Sequence, residues 1–334
     1  MIVWLRKQSF VLLLVAAVLI ALVWPEPANV GGGAYATRLA DLAVALIFFL
    51  QGLSLPTRRM MAGRRPLRLH AFVLAWNFIL FPLSAGLLSA AVSFALGREL
   101  SMGLWMLAIL PTTIASATAF TAASQGEVPQ AIFASIFSNL LGILLVPLLA
   151  LAYLSASNEA ELSLLPVFTK LCWIILMPLL VGQCFRRCFR ESSIFLSERL
   201  RWLPQAAILY IVYLAFAKNV SSGLLDSLEP GRLFWTLCAV VFLLLLVSWG
   251  VWQSAGWIKL SQQARVAAFF TASQKSIATG LPLLTTVFGA ASLQLDSGLV
   301  LVPLLLYHSL QLLLGGILIP RFAAASSAAP SARS

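Results

Sequence analysis

Ten apolar segments follow one another along this chain, each near the length of about 20 residues that a helix needs to cross a bilayer. Hydrophobic residues make up 61% of the 334 residues and charged residues 10%, against roughly 45–50% and about 25% in soluble domains. A water-soluble fold has too little interior for such a sequence. We therefore predict an all-α polytopic membrane protein with ten transmembrane helices. Their approximate bounds are 9–24, 37–55, 69–95, 100–125, 127–154, 163–185, 202–219, 232–256, 262–288 and 292–320.

Lysine and arginine are concentrated on one side of these segments. With the N-terminus inside, sixteen of the twenty-two fall in cytoplasmic loops or termini, with clusters at 58–68 and 186–201. Because basic residues in short loops favour the cytoplasmic side, we predict that both termini are cytoplasmic. The expected location is a bacterial inner (plasma) membrane, with the lipid bilayer as partner. The net charge of +11 then has a topological cause, and no nucleic-acid partner is expected.

The ten segments divide into two sets of five, and an odd-numbered set inserts its second copy upside down. Polar clusters interrupt the fourth segment at 111–118 and the ninth at 271–280, at the same place in each half. Inverted repeats with such broken helices are common in secondary transporters. We predict a first five-helix repeat over 1–160, a second over 161–322 and a disordered cytoplasmic tail over 323–334. Close packing of small residues is the alternative explanation of either cluster alone.

Lys275 lies deep in the ninth segment, where a charge costs at least about 2.5–3.5 kcal/mol. The sequence places no acidic residue to pair with it. Three roles remain open for its ammonium group. It binds the negative group of a substrate, it acts as a fixed cation where a relative holds a metal ion, or it is neutralised by backbone carbonyls at a broken helix. His308, beside Tyr307 and near Gln311 in the tenth segment, is expected to have a packing role.

Three motifs resemble the SBF-like branch of the bile acid:sodium symporter superfamily, and the similarity covers nearly the whole chain. They are Phe48-Phe49-Leu50-Gln51-Gly52-Leu53, Asn139-Leu140-Leu141-Gly142 and, most specifically, Ser273-Gln274-Lys275-Ser276-Ile277-Ala278-Thr279-Gly280. The resemblance implies two inverted five-helix repeats, with a panel domain of helices 1, 2, 6 and 7 and a core domain of the others. Helices 4 and 9 are broken and cross behind a substrate cavity. The function implied is symporter-like secondary active transport, by alternating access, of a small organic anion, bile-acid- or sterol-like, without enzymatic activity.

The polar clusters, the buried lysine and the resemblance together give candidate site residues. Those expected to bind the substrate are Lys275, Thr113, Ser116, Asn77, Ser273 and Thr279. Those that match sodium ligands of relatives are Ser116, Ser135, Gln274 and Asn77. The match is incomplete, because Ala117 and Ala131 stand where relatives carry ligands and Phe270 replaces an essential glutamate. We expect no cofactor and no tightly bound metal. Sodium is the coupling ion that the resemblance suggests, and its coupling is expected to be altered or lost.

A non-transporting regulatory membrane protein, involved in ion homeostasis, is the alternative function, since lost sodium ligands would suit it. A channel would need a continuous polar stripe through several segments, and an enzyme would need a carboxylate pair or a metal cluster; the sequence offers neither. The substrate, the transport direction, the coupling ion and the oligomeric state stay open.

Overall fold

A computed structural model describes residues 2–28, 34–54, 63–156, 169–170, 172–200, 202–220, 229–290 and 297–328. All regular secondary structure in these ranges is helical. Four helices are long and apolar enough to cross a membrane, namely Leu67–Leu96, Val128–Leu154, Pro230–Trp257 and Gly298–Ser326. The bent pair Glu191–Arg199 and Leu203–Lys218 would make a fifth span. The prediction of an all-α polytopic membrane protein is confirmed at this level. The count of ten spans stays a prediction, because several apolar segments are interrupted or shorter.

We number the helices along the chain. The first group is α1 (Ile2–Val23), α2 (Ala34–Ser54), α3 (Leu67–Ala75, a π-helical turn at Trp76–Leu80, and Phe81–Leu96), α4 (Arg98–Ile109), α5 (Ala115–Ala123) and α6 (Val128–Ala156). The second group is α7 (a π-helical turn at Cys172–Leu176, then Met177–Cys188), α8 (Arg190–Arg199), α9 (Leu203–Val220), α10 (Pro230–Trp257), α11 (Gln262–Ser273), α12 (Ile277–Ala290) and α13 (Ser297–Ala328).

The end of α13 corrects the predicted C-terminal boundary. The sequence assigned 323–334 to a disordered tail, but α13 continues to Ala328. The residues that extend it are mainly alanines, which have the highest intrinsic helix propensity, so the helix continues beyond the end of the predicted membrane-spanning segment. Residues 329–334 lie outside the described ranges.

One compact unit consists of Met1–Leu55, Ala150–Pro230 and Leu281–Leu299. Within it α2 packs along α7 and α9, and α1 packs along α9. Helices α2 and α7 approach most closely at Gly52 and Gly182, where a side-chain carbon on either residue would collide with main-chain atoms. Gln183 Nε2 donates to the Gly52 carbonyl at 2.7 Å. A side chain of α7 thus binds a carbonyl near the C-terminal end of α2, which the helix itself leaves unpaired.

The other compact unit consists of Pro56–Leu149, Gly231–Gly280 and Val300–Ser334. Within it α3 packs against α4, and α11 packs against α3 and α5. Both segments in which the sequence predicted a broken helix, α4–α5 and α11–α12, have their interruptions in this unit. It therefore contains the candidate site.

Large apolar side chains on the outer faces of these helices are exposed. Phe94 in α3 is 89% exposed and Leu87 is 75% exposed, while Phe242 and Trp249 in α10 are more than half exposed. Exposed apolar surface of this extent is unfavourable in water. It fits helices whose outer faces contact lipid.

Candidate functional site

The first break separates α4 from α5. Helix α4 ends at Ile109, Leu110 is extended at φ −69° and ψ 151°, and α5 begins at Ala115. Pro111 causes the break, because proline has no N–H to donate and restricts the residue before it to extended conformations. Pro111 therefore ends α4, and the break lies where the polar cluster of the fourth segment predicted it.

Side chains of α6 bind the main chain that this break exposes. Asn139 Nδ2 donates to the Thr112 carbonyl at 2.7 Å, and the Thr112 N–H donates to Ser138 Oγ at 3.4 Å. Asn139 Nδ2 also donates to the Ser135 carbonyl at 2.8 Å. Both main-chain groups of Thr112 are therefore paired, as an opened backbone buried in a membrane protein requires.

The second break separates α11 from α12. Helix α11 ends at Ser273, Gln274 is extended at φ −97° and ψ 148°, and α12 begins at Ile277. No proline lies between Ser273 and Ile277, so another part of the chain must hold this backbone open. Helix α13 does so, with the Tyr307 hydroxyl donating to the Ser273 carbonyl at 2.7 Å.

Gln311 of α13 holds the centre of the second break. Its Oε1 accepts from the Lys275 N–H at 2.7 Å, and its Nε2 donates to the Lys275 carbonyl at 2.8 Å. One amide side chain thus pairs with both main-chain groups of a residue, as a neighbouring β-strand would. Gln311 Nε2 also lies 2.8 Å from His308 Nδ1, which places the imidazole in the same network.

The two breaks are built alike. Each contains a four-residue motif, Thr113-Ile114-Ala115-Ser116 in the first and Ser276-Ile277-Ala278-Thr279 in the second. In both motifs the first hydroxyl accepts from the N–H of the fourth residue at 3.2 Å, and so caps the helix that follows. In both, the residue just before the motif is bound by an amide side chain, from Asn139 in the first and Gln311 in the second. Two halves with a common architecture would produce this correspondence.

The two breaks also contact each other. The Ser276 N–H donates to Pro111 O at 2.9 Å, and Ser116 Oγ donates to Gln274 Oε1 at 2.8 Å. Thr279 Oγ1 donates at 2.6 Å to Oδ1 of Asn139 in α6, whose Nδ2 binds the Thr112 carbonyl of the first break. Thr113 joins them through its hydroxyl contact with Ser116. Four residues predicted for the site therefore form one cluster, namely Thr113, Ser116, Gln274 and Thr279.

Lys275 is fully buried, and its ammonium group is surrounded by main-chain oxygens. Nζ lies 3.0 Å from the Asn77 carbonyl, 2.6 Å from the Ala108 carbonyl and 2.8 Å from the Leu110 carbonyl. It also lies 4.1 Å from the centre of the Phe81 ring. This geometry corresponds to a lysine that is neutralised by backbone carbonyls at a broken helix, one of the three roles that the sequence left open. It also fits a fixed cation. It directs no ammonium hydrogen towards open space.

The remaining predicted residues lie close by but use their polar atoms differently. Asn77 Nδ2 donates to Ser138 Oγ and to the Thr271 carbonyl, both at 3.2 Å. Asn77 Oδ1 and Ser135 Oγ are buried with no hydrogen-bond partner among the residues that the structure describes. The Ser273 hydroxyl donates at 2.7 Å to the Phe269 carbonyl of its own helix. Ser273 therefore contributes its carbonyl, rather than its hydroxyl, to the network around the second break.

Comparison with known proteins identifies the family. The model of the SBF-like CPA transporter family matches residues 8–324. The chain belongs to this family. It is 32% identical over 318 residues to an uncharacterized protein of Pseudomonas aeruginosa, covering 95% of this chain and 93% of the relative. It is 32% identical to sodium/bile acid cotransporter 7 of Danio rerio and 30% identical to that of Mus musculus, covering 94% of this chain in both and 93% and 92% of the relatives. The resemblance inferred from the motifs is confirmed.

Phe270, which the resemblance places where sodium-coupled members carry a glutamate, lies in an aromatic cluster. The Phe270 ring is fully buried, with its centre 5.5 Å from that of Phe120, 5.2 Å from Phe269 and 5.7 Å from Phe322. Among the described residues, Lys275 is the only buried lysine, arginine, aspartate or glutamate. The predicted site therefore combines hydroxyl, amide and main-chain oxygens with one lysine side chain and, among the described residues, no buried carboxylate.

Proposed function

We propose that this SBF-like protein is a secondary active transporter that moves an organic anion by alternating access and does not use bound sodium as its coupling ion. The observation that carries the proposal is the pair of capped breaks in contact with each other. Helices α5 and α12 begin there, and the N-terminal ends of such half-helices favour negative groups. Membership of a transporter family supports the same function. We place the protein in a bacterial inner membrane with both termini in the cytoplasm.

We further propose that the whole chain forms ten transmembrane helices in two inverted repeats, 1–160 and 161–322. The matched capping bonds and amide contacts of the two breaks support a repeat. One compact unit contains α1, α2, α7 and α9, the helices of the panel domain that the resemblance implies, together with Leu281–Leu299. The other unit contains both breaks and the helices α3, α4, α5 and α11, which the resemblance assigns to the core domain.

The anion is proposed to contact the start of α5. Ser116 is only partly buried and Ala115 beside it is exposed, whereas Lys275 is fully buried. Among the predicted site residues, Ser116 at the N-terminal end of α5 is the only one that is not buried. We propose that the anion contacts this end of α5, with the Thr113 and Thr279 hydroxyls behind it. In this arrangement Lys275 acts on the anion through the geometry and charge of the breaks, not by contact with it.

Loss of sodium coupling is proposed from the charge balance. Phe270 is apolar where a carboxylate would attract the ion, and Lys275 adds a positive charge to the same unit. At about 4 Å, two unit charges repel by roughly 4 kcal/mol at an effective dielectric of 20. That is enough to lower sodium affinity by orders of magnitude.

Uptake in proteoliposomes tests this function. Taurocholate is a suitable first probe, because relatives are named sodium/bile acid cotransporters. We expect saturable uptake that is equal in sodium and in N-methylglucamine. The double substitution Thr113→Val and Ser116→Ala should reduce uptake at least about tenfold, the equivalent of one lost charge-assisted contact. Thr118→Val is the matched control, because the Thr118 hydroxyl donates to the Ile114 carbonyl of its own turn.

Two results would contradict the proposal. Uptake that requires sodium would show that the coupling ion is retained. Absence of flux for a panel of organic anions under any ion gradient would favour the non-transporting regulatory function.

A further inference from the structure

We propose that Lys275 is a tethered cation that fills a cation-binding cage built from main-chain oxygens. We define the cage as the carbonyls of Asn77, Ala108 and Leu110 with the ring of Phe81. The proposal deepens the proposed function, because a built-in cation explains how the breaks hold together without a bound ion. It concerns a binding site that exists whatever the transported substrate is.

Two of the three carbonyls are free because α4 is broken. In a continuous helix the Ala108 carbonyl would accept from the N–H of Thr112 and the Leu110 carbonyl from that of Ile114. The Thr112 N–H donates to Ser138 Oγ instead, and Ile114 lies beyond the break at Pro111. The last turn of α4 therefore directs unpaired oxygens, and the negative end of its dipole, towards the ammonium group.

The third carbonyl is free because of the π-helical turn in α3. The Phe81 N–H donates to the Trp76 carbonyl, one residue further back than in an α-helix. The next carbonyl, that of Asn77, would then need the N–H of residue 82, and Pro82 has none. The sequence thus leaves an acceptor open at the position where the lysine reaches.

Three neutral oxygens and an aromatic face form the kind of site that binds monovalent cations. Carbonyl oxygens replace the hydration shell of such ions, and the face of an aromatic ring attracts a cation within about 6 Å of its centre. No described acidic side chain is buried with the cage, so its ligands are neutral and match a single positive charge. An ammonium group also matches the number of oxygens, since each of its three hydrogens has one acceptor.

The tether has a structural consequence. Gln311 fixes the main chain of Lys275 from α13, while the side chain binds α3 and the end of α4. One residue therefore connects the second break with the helix that ends at the first break. A covalently attached ion is present at a very high effective concentration, so this connection does not depend on the ions in solution.

Removal of the side chain should open the cage to ions from solution. We would purify Lys275→Ala in N-methylglucamine buffer and measure thermal unfolding while titrating ammonium, propylammonium, potassium and sodium. We expect a lower unfolding midpoint than in wild type, with saturable recovery by propylammonium or ammonium and the weakest recovery by sodium. A cation at about ten times its Kd should raise the folding equilibrium constant about 11-fold.

Lys275→Met is the matched control, because it fills the same space without charge. Its unfolding midpoint and that of the wild type should not respond to these cations. The proposal is overturned if Lys275→Ala unfolds like wild type, or if propylammonium shifts all three proteins equally.

A second measurement applies if Lys275→Ala is not stable enough to purify. Membranes that contain the variant would be extracted in parallel in propylammonium, potassium and N-methylglucamine, with the folded fraction read by gel filtration. A higher folded fraction in propylammonium supports the cage, whereas equal yields, or no folded protein in any of the three, overturn it. Neither measurement uses a transported anion, so failure of the cage and failure of the transport proposal appear in different assays.

Discussion

Gln311 shows how much one neutral side chain contributes to a broken helix in a membrane. It pairs with the N–H and the carbonyl of Lys275 and is itself 2% exposed. Without it, two main-chain groups would be buried with no water to bind them. The sequence assigned this part of α13 to packing, although Tyr307 and Gln311, four residues apart, lie on one face of a segment that is otherwise largely apolar.

Gln311→Leu should therefore destabilise the protein. The substitution keeps the volume but removes both hydrogen bonds, and we expect a loss of about 1–3 kcal/mol in the free energy of unfolding. Unfolding by a denaturing detergent, followed by tryptophan fluorescence, measures it. Ser309→Ala is the control, because the Ser309 hydroxyl only donates to the Leu305 carbonyl of its own helix. Equal stability of the two variants would show that the amide does not hold the break.

The partners of Lys275 mark the limit of what the sequence predicts at this scale. The depth of Lys275 in an apolar segment and the lack of a nearby acid are both visible in the sequence. The Asn77, Ala108 and Leu110 carbonyls are not, because every residue has a carbonyl and only the fold decides which ones remain unpaired. Sequence reasoning could therefore name a role for backbone carbonyls without saying which residues provide them.

The two broken helices differ in how strongly the local sequence determines them. Pro111 ends α4 by itself, so the first break is readable from the chain. The second break has no proline between Ser273 and Ile277 and is held by side chains of α13. Its polar cluster predicted the position, but the residues that hold it are far away in sequence. The two polar clusters thus predicted where each break lies. The second break itself is caused by tertiary contacts with α13.

Gly142 allows α6 to approach the first break. A side-chain carbon at this position would lie 2.9 Å from the rigid Pro111 ring. The main-chain carbonyl of Pro111 accepts from the Ser276 N–H, so a shift of Pro111 would also move the second break. We expect Gly142→Ala to displace both breaks, lower the unfolding midpoint and reduce uptake by about tenfold or more, because misplacement by about an ångström is costly at such sites.

Gly316→Ala in α13 is the control for this change. No atom lies within 4 Å of a side-chain carbon there, and alanine is favoured over glycine in a helix by about 1 kcal/mol. Its midpoint and uptake should be unchanged or slightly higher. If Gly142→Ala behaves in the same way, the contact between α6 and Pro111 is not needed for the geometry of the breaks.

The described part of the molecule has one buried formal charge, and that charge is positive. Among the described residues Lys275 has no buried acidic counterpart, and Phe270, which the resemblance places where sodium-coupled members carry a glutamate, lies within a cluster of rings. The two changes act in the same direction, because one removes attraction for a cation and the other adds repulsion. Under the proposed loss of sodium coupling, we therefore expect that a change at neither position alone restores ion dependence.

Restoring both positions should make the protein sensitive to sodium. Phe270→Glu alone buries a carboxylate among rings and should be strongly destabilising. In Phe270→Glu combined with Lys275→Gln the ammonium is absent, so sodium has a carboxylate to bind and no competing charge. We expect the thermal unfolding midpoint of the double variant to rise when choline is replaced by sodium, with no such rise in wild type or in Lys275→Gln. A double variant that ignores sodium would mean that the ligands missing at Ala117 and Ala131 are sufficient to abolish binding, whatever the charge at the breaks.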